Sequence, residues 1–85
     1  MAGPDHFDVI IANIQANPLI AMAEGLAKRL KKAGQLVLSG ILVEQKEQVK
    51  TAYQTAGLHQ IHEKTDGEWC LLVFERRREV AQNDE

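Results

Sequence analysis

The chain has one cysteine, no excess of positive charge, no glycine-rich loop and no long apolar run. A single thiol, Cys70, cannot form an internal disulfide. The formal charge of −2 at pH 7 argues against nonspecific nucleic-acid binding, because such binding needs a basic patch. No signal peptide is evident, and no apolar stretch is as long as a membrane-spanning helix, which needs about 18 residues. We therefore expect a cytoplasmic chain that binds neither nucleic acid nor membrane.

The length of 85 residues limits the core that the chain can form. With 45% hydrophobic and 26% charged residues, the composition is that of one globular domain or of a piece of a larger one. A chain of this length buries roughly 60–65% of the surface that its unfolded form exposes. Its stability is therefore expected to be marginal unless something else covers its apolar faces.

A largely apolar run, Phe7 to Ile14, contains one carboxamide near its end. The run is rich in Val and Ile and opens into a loop before a helix, which predicts a parallel strand buried on both faces. In open α/β sheets ligands bind beyond the carboxyl ends of such strands, so Asn13 is the candidate ligand-binding residue. Its possible neighbours are Ile14, Ser39 and Gly40. Each residue also has a structural alternative to ligand binding: Asn13 would cap a turn at the strand end, and Gly40 would allow a close turn.

The residues after this first strand predict a helix, a strand and a second helix. Apolar residues recur at three- and four-residue steps after Asn17, which can cap a helix with Pro18 at its first position. Gly34 would supply the left-handed residue that ends this helix. Residues 36–41 predict a second buried parallel strand, and residues 43–56 predict a second helix that Gly57 follows.

The last third of the chain predicts two antiparallel strands. Residues 58–65 are too polar for a central strand, so we expect them at a sheet edge. The dipeptide Asp66-Gly67 indicates a hairpin turn. Residues 69–74 are apolar at successive positions and need cover on both faces, so this last strand should lie inside the polar one. Residues 1–76 would then form the domain, and residues 77–85 a flexible tail.

Other chemically interesting residues have plain structural explanations. His59 and His62 lie on a predicted strand at a spacing that puts them on opposite faces, and no third ligand is evident, so no metal site is expected. Cys70 has no feature that lowers a thiol pKa and is expected to be buried and inert. Residues 76–78 form an arginine run with acidic neighbours, which favours a solvated tail. Trp69 is expected to anchor the core or the hairpin.

Several segments together resemble one known family. They are residues 7–14, 17–20 and 36–42 with Gln45, then Ala52-Tyr53 with Gly57, and residues 67–69. In order and spacing this set is similar to the C-terminal half of the catalytic domain of the ribosomal protein L-eleven methyltransferases (PrmA). The resemblance implies half of a class I methyltransferase sheet, β-α-β-α-β-β, with the last strand antiparallel beside the penultimate one. It also implies S-adenosylmethionine as cofactor and amino groups of a ribosomal protein as substrate.

Several features of the family have no counterpart in these residues, and their absence determines the activity that we expect. In the family the glycine-rich cofactor loop, the acidic ribose-binding residue and the first half of the sheet precede the strand that begins here at Phe7. Of the cofactor-contacting residues, only the Asn at the strand end has a counterpart, Asn13. One amide hydrogen bond contributes about 0.5–1.5 kcal/mol, far below the roughly 8 kcal/mol of micromolar binding. We expect a fragment without cofactor binding or catalysis of its own.

The alternative expectation is a non-enzymatic interaction module, or a half-domain that dimerises. Right-handed crossovers proceeding in one direction along the sheet would place both helices on the same face. The opposite face and the free edge of the strand at residues 7–14 would then be uncovered. Such surfaces associate, so we expect a homo-oligomer that buries this face or pairs these strands.

Overall fold

The computed structural model describes residues 6–77, which form a four-stranded sheet and three α-helices. In chain order the elements are β1 (Phe7–Asn13), α1 (Ala16–Ala21), α2 (Ala23–Arg29), β2 (Leu30–Leu42), a 3₁₀ turn (Val43–Gln45), α3 (Lys46–Thr55), β3 (Leu58–Asp66) and β4 (Trp69–Arg76). This composition confirms the α/β class. No helix within the described residues is long and apolar enough to cross a membrane.

The strands lie in the order β1-β2-β4-β3. β1 pairs with β2 in parallel, whereas β4 is antiparallel to both β2 and β3. The apolar strand β4 is therefore internal, and the polar strand β3 forms one edge of the sheet. β1 forms the other edge, so the prediction that residues 7–14 are buried on both faces is wrong: Val9 and Ile11 are exposed on the face away from the helices.

The core lies between one face of the sheet and the helices. The sheet contributes alternate residues of its two central strands, and the helices contribute large apolar side chains; the fully buried members include Leu19, Leu36, Leu38, Val49, Tyr53, Leu72 and Phe74. The ring of Tyr53 lies 5.5 Å from that of Phe74, centroid to centroid. Its hydroxyl donates a 2.6 Å hydrogen bond to the carbonyl oxygen of Leu19, which ties α3 to α1. Burial raises the pKa of Tyr53 to about 12, so the phenol stays protonated and remains a donor.

The first predicted helix is wrong in its extent. The chain forms two short helices that meet at Met22, and Gln15, not Asn17, precedes the first of them. Leu30 and Ala33, the last of the apolar residues that recur at three- and four-residue steps, belong to β2 rather than to a helix. The left-handed residue is Ala33 (φ 65°), not Gly34.

Gly34 serves a different purpose from the predicted helix end. The β1–β2 register shifts between Phe7 and Val9, which pair with Leu30 and Gln35, so the chain between these partners leaves the ladder. Gly34 is buried there, and a Cβ on it would lie 2.8 Å from the carbonyl oxygen of Lys31 and 3.1 Å from that of Phe7. The prediction that Gly34 ends a helix is therefore wrong, and the glycine is explained by a close approach of two backbones.

The second half of the chain follows the predicted order with small shifts. The first residues of the predicted second helix, Val43–Gln45, form the 3₁₀ turn, and Gly57 follows α3 with a φ of 98°. The hairpin loop consists of Gly67 and Glu68, one residue later than the Asp66-Gly67 dipeptide indicated, and Gly67 has a φ of 63°. β4 extends to Arg76; of the predicted tail, only residue 77 is described and residues 78–85 lie outside the described part.

A polar cluster connects α3 to the edge strand β3. Lys46 Nζ donates to Glu63 Oε2 at 2.7 Å, and Gln60 Nε2 and Lys50 Nζ donate to Glu63 Oε1 at 3.1 and 3.4 Å. These contacts, led by that of Lys46, lower the pKa of Glu63 to about 2. The same hydrogen bond raises the pKa of Lys46. The ionised pair therefore favours the folded state at neutral pH.

We expect Glu63→Gln to remove a pH dependence of stability. Because the folded-state pKa of Glu63 is depressed to about 2, its contribution is complete above its ordinary pKa near 4.5 and is lost as the pH falls towards 2. Between pH 7 and pH 3, the free energy of unfolding measured with urea should fall by about 1 kcal/mol less in Glu63→Gln than in the unmodified chain.

The matched control for this prediction is Glu47→Gln. Glu47 contacts Lys50 at 3.6 Å, but its side chain is 77% exposed. Glu47→Gln should show the same difference in unfolding free energy between pH 7 and pH 3 as the unmodified chain. If Glu63→Gln also shows that same difference, Glu63 is not the source of the pH dependence.

Candidate functional site

The two parallel strands end side by side, and the predicted site residues meet there. Asn13, the last residue of β1, pairs with Ser39 of β2. Gly40 comes next, with a φ of 78°, where the β2–β4 register shifts between Leu38 and Ile41. Asn13, Ser39 and Gly40 thus lie together at the carboxyl edge of the parallel pair. Ile14 is half-buried and packs against the core.

The side chain of Asn13 is exposed and lies against Gly40. Within residues 6–77, no hydrogen bond from another residue engages its carboxamide. The oxygen can accept two hydrogen bonds and the nitrogen can donate two. The group is therefore free to contact a ligand at this edge of the sheet.

A cleft of about 270 Å³ opens beside this junction. We call it the carboxyl-edge cleft, and it is lined by Gln15, Ala16, Asn17, Gly40, Leu42, Gln45 and Trp69. Asn13 does not line the cleft itself, but its side chain lies against Gly40, which does. The lining offers three carboxamides and one indole, which can hold polar or cationic groups through hydrogen bonds and the ring face. None of these side chains is a general acid or base, so the cleft can position a reactant but supplies no proton-transfer group.

Trp69 is the residue whose role the sequence prediction missed. Of its two expected roles, the core anchor is wrong, because its side chain is 52% exposed and lines the carboxyl-edge cleft. It does pair with Asp66 across the hairpin loop. Because β4 is antiparallel to β2, its first residue pairs with Leu42 at the carboxyl end of β2. The Asp66-Gly67 dipeptide two residues before Trp69 was the available signal, since it places the start of β4 at this edge.

The remaining sequence candidates lie elsewhere. His59 and His62 are exposed on β3, and among the described residues no group of three His, Cys, Asp or Glu could hold a metal ion. Cys70 is buried, and its desolvation raises the thiol pKa, which disfavours the nucleophilic thiolate. The solvated-tail prediction is wrong for Arg76, which is half-buried in β4 and donates a hydrogen bond to the carbonyl oxygen of Leu30.

A second cleft, of about 240 Å³, lies at the opposite end of the sheet. Its lining includes Glu24, Lys28, Gly57 and Arg76. Ligands of open α/β sheets bind at the carboxyl ends of the parallel strands, and this cleft lies at their amino ends. The carboxyl-edge cleft is therefore the candidate site.

A parallel strand pair with helices on one face and a cleft at its carboxyl edge is the arrangement of part of a Rossmann-like α/β sheet, whose complete form has helices on both faces. The family model described as "Ribosomal protein L11 methyltransferase (PrmA)" matches residues 2–77. The chain therefore belongs to the PrmA family.

Individual relatives agree with this assignment. The chain is 41% identical over 73 residues to the ribosomal protein L11 methyltransferase of Pelobacter propionicus, covering 86% of this chain and 24% of the relative. It is 51% identical over 59 residues to that of Brucella suis, covering 69% of this chain and 20% of the relative. The crystal structure of a ribosomal protein L11 methylase from Lactobacillus delbrueckii subsp. bulgaricus matches with a TM-score of 0.81 and 29% identity, over 91% of this chain and 41% of that one.

The matched region is a minor part of each relative. The chain spans about a quarter of the length of the curated relatives and less than half of the solved structure. The shared fold is thus shown for this part alone.

Proposed function

We propose that these residues form the C-terminal part of a catalytic domain that transfers a methyl group from S-adenosylmethionine to amino groups of ribosomal protein L11 in the cytoplasm. Membership of the PrmA family supports the reaction, and the names of the relatives support the substrate. The observation that carries the site is the free carboxamide of Asn13 at the carboxyl edge of β1, beside the carboxyl-edge cleft.

The chemistry available at this edge is positioning. A carboxamide such as that of Asn13 can donate to a carboxylate or accept from an amine, and three further carboxamides line the cleft. Methyl transfer to an amine needs the neutral amine held in line with the methyl group, and such orientation can account for a large part of a rate enhancement. Asn13 would contribute by holding a reactant in place.

The described residues do not fit the whole cofactor. The carboxyl-edge cleft of about 270 Å³ is smaller than the roughly 300–1,000 Å³ of pockets that enclose a drug-sized ligand. No cationic or anionic side chain lines it to pair with the charged groups of S-adenosylmethionine. We infer that these residues supply one wall of a cofactor site and are not sufficient for binding or catalysis alone.

Calorimetric titration of the 85-residue chain with S-adenosylmethionine tests this insufficiency. We expect no saturable heat up to millimolar ligand, because a single amide contact of about 0.5–1.5 kcal/mol falls far short of the roughly 8 kcal/mol that micromolar affinity requires. S-adenosylhomocysteine serves as the matched second ligand. A micromolar dissociation constant for either ligand would contradict the proposal.

A second candidate function, association with another copy of the chain, is favoured by the uncovered side of the sheet. On the face away from the helices, Val9 is 52% and Ile11 74% exposed. Ile11 pairs with Val37, and Val37 with Val73, so apolar residues form a row across this face. Within residues 6–77, the outer edge of β1 has no neighbouring strand.

We propose that this edge and face bind a second copy. β1 carries a single charged residue, Asp8, so two copies would meet with little repulsion. Antiparallel pairing about Ile10 across a two-fold axis would place Val9 of one copy opposite Ile11 of the other, which makes the strand self-complementary. Light scattering should therefore show a mass that rises with concentration.

A further inference from the structure

The backbone at the carboxyl edge leaves a gap that the Asn13 side chain occupies. A Cβ built on Gly40 would lie 3.3 Å from Cγ of Asn13 and within overlapping distance of its Oδ1. Apart from the chain neighbours of Gly40, the Asn13 carboxamide is the only group within 4 Å of that position among the described residues. The missing side chain of Gly40 thus provides the space in which the carboxamide lies.

Other glycines of the chain show that this arrangement is specific. Gly57 and Gly67 also have positive φ values, 98° and 63°, but a Cβ on either would have no neighbour within 4 Å. Gly34 is crowded, but by backbone carbonyl oxygens. Gly40 combines a left-handed backbone with a close contact to a candidate ligand-binding side chain.

The absence of a side chain at Gly40 permits the direction that the Asn13 side chain takes. Within residues 6–77 no hydrogen bond holds this carboxamide. Any side chain at position 40 would occupy the same volume and force the carboxamide into another rotamer. A displacement of about 1 Å in a positioning group can cost about 100-fold in rate.

We propose that Gly40 is a positioning residue whose missing side chain admits the Asn13 carboxamide to its orientation at the carboxyl edge. The functional part of this inference rests on the role proposed above for Asn13. The steric part stands on the geometry alone. The two parts are tested by separate measurements.

The steric part is tested by urea unfolding of Gly40→Ala and Gly67→Ala, each with Asn13 present and with Asn13→Ala. Both alanines bear the cost of a left-handed backbone, about 5- to 30-fold in the folding equilibrium constant. Gly40→Ala should cost about 2- to 3-fold more than Gly67→Ala when Asn13 is present, the low end of couplings between touching residues, because the exposed end of the Asn13 side chain can turn aside. In Asn13→Ala this excess should disappear. An equal cost of Gly40→Ala in both backgrounds overturns the proposal, and failure of Gly40→Ala to fold supports it only if Asn13→Ala restores folding.

The orientation is tested by the side-chain amide resonances of Asn13 in ¹H–¹⁵N NMR spectra of the 85-residue chain. Gly40→Ala should shift both amide protons of Asn13, whereas Gly67→Ala should leave them unchanged. Unshifted resonances in a folded Gly40→Ala variant would overturn the positioning role. Neither measurement depends on methyl transfer, so a failure of the proposed function would leave this result interpretable.

Discussion

Replacing Phe74 with alanine should lower the free energy of unfolding by about 3–5 kcal/mol, the usual cost of removing a buried aromatic side chain. Phe74 has no exposed surface, and its ring packs against Tyr53 at 5.5 Å between centroids. The stability of a domain is about 5–15 kcal/mol, and a chain this short lies near the lower limit. We therefore expect urea unfolding to show a transition shifted close to zero denaturant or lost.

The control for Phe74→Ala is the neighbouring residue on the same strand. Val73 lies on the opposite face of β4 and is half-buried, with the helices on the other side. Val73→Ala should cost about 1 kcal/mol or less, because it removes two methyl groups that are not in the core. Similar losses in both variants would mean that the two faces are equally covered, contrary to the one-sided packing.

Replacing Ile11 with lysine should weaken self-association by at least about 30-fold, the effect expected for a central apolar residue of an interface. Ile11 is 74% exposed, so the substitution leaves the core of the chain intact. At the proposed interface, however, the ammonium group would have to lose its hydration without a partner. Light scattering at two protein concentrations measures the change, and circular dichroism checks that the variant folds.

Ile61→Lys provides the comparison for Ile11→Lys. Ile61 is also an exposed isoleucine, at 42%, but it lies on β3 at the other edge of the sheet. We expect this variant to associate like the unmodified chain. Equal weakening by both lysines would place the interface elsewhere, and a monomer of 9.5 kDa at both concentrations would contradict self-association altogether.

The fold could be predicted where the sequence pattern has one physical cause. The apolar residues of β4 indicated an internal strand and the polar residues of β3 an edge strand, which is where these strands lie. The apolar run of β1 was misleading, because this strand lies at the other edge with Val9 and Ile11 exposed. The helix at residues 17–34 was misjudged because a three- and four-residue apolar spacing continued past its true end. Leu30 is buried because it belongs to a strand, where it pairs with Phe7. This contact joins residues far apart in the sequence, so no local pattern indicates it.

The site could be predicted only in part. Asn13, Ser39 and Gly40 were placed together because the carboxyl ends of parallel strands meet at one edge. The exposure of Trp69 in the cleft and the fit of the Asn13 carboxamide over Gly40 depend on the register of β4 and on a local shift in the ladder. Such details follow from backbone geometry, which the residue types alone do not specify.

The proposed function is tested most directly by methyl transfer in a chimera in which residues 2–77 of this chain replace the matching segment of the Pelobacter propionicus relative. We predict that the chimera methylates ribosomal protein L11, and that Asn13→Ala lowers kcat by about 100-fold because the reactant loses its positioning contact. Gln48→Ala, which removes an exposed carboxamide on α3 away from the cleft lining, serves as the comparison and should leave kcat unchanged. A folded chimera that methylates the protein equally fast with and without the Asn13 carboxamide would contradict the account.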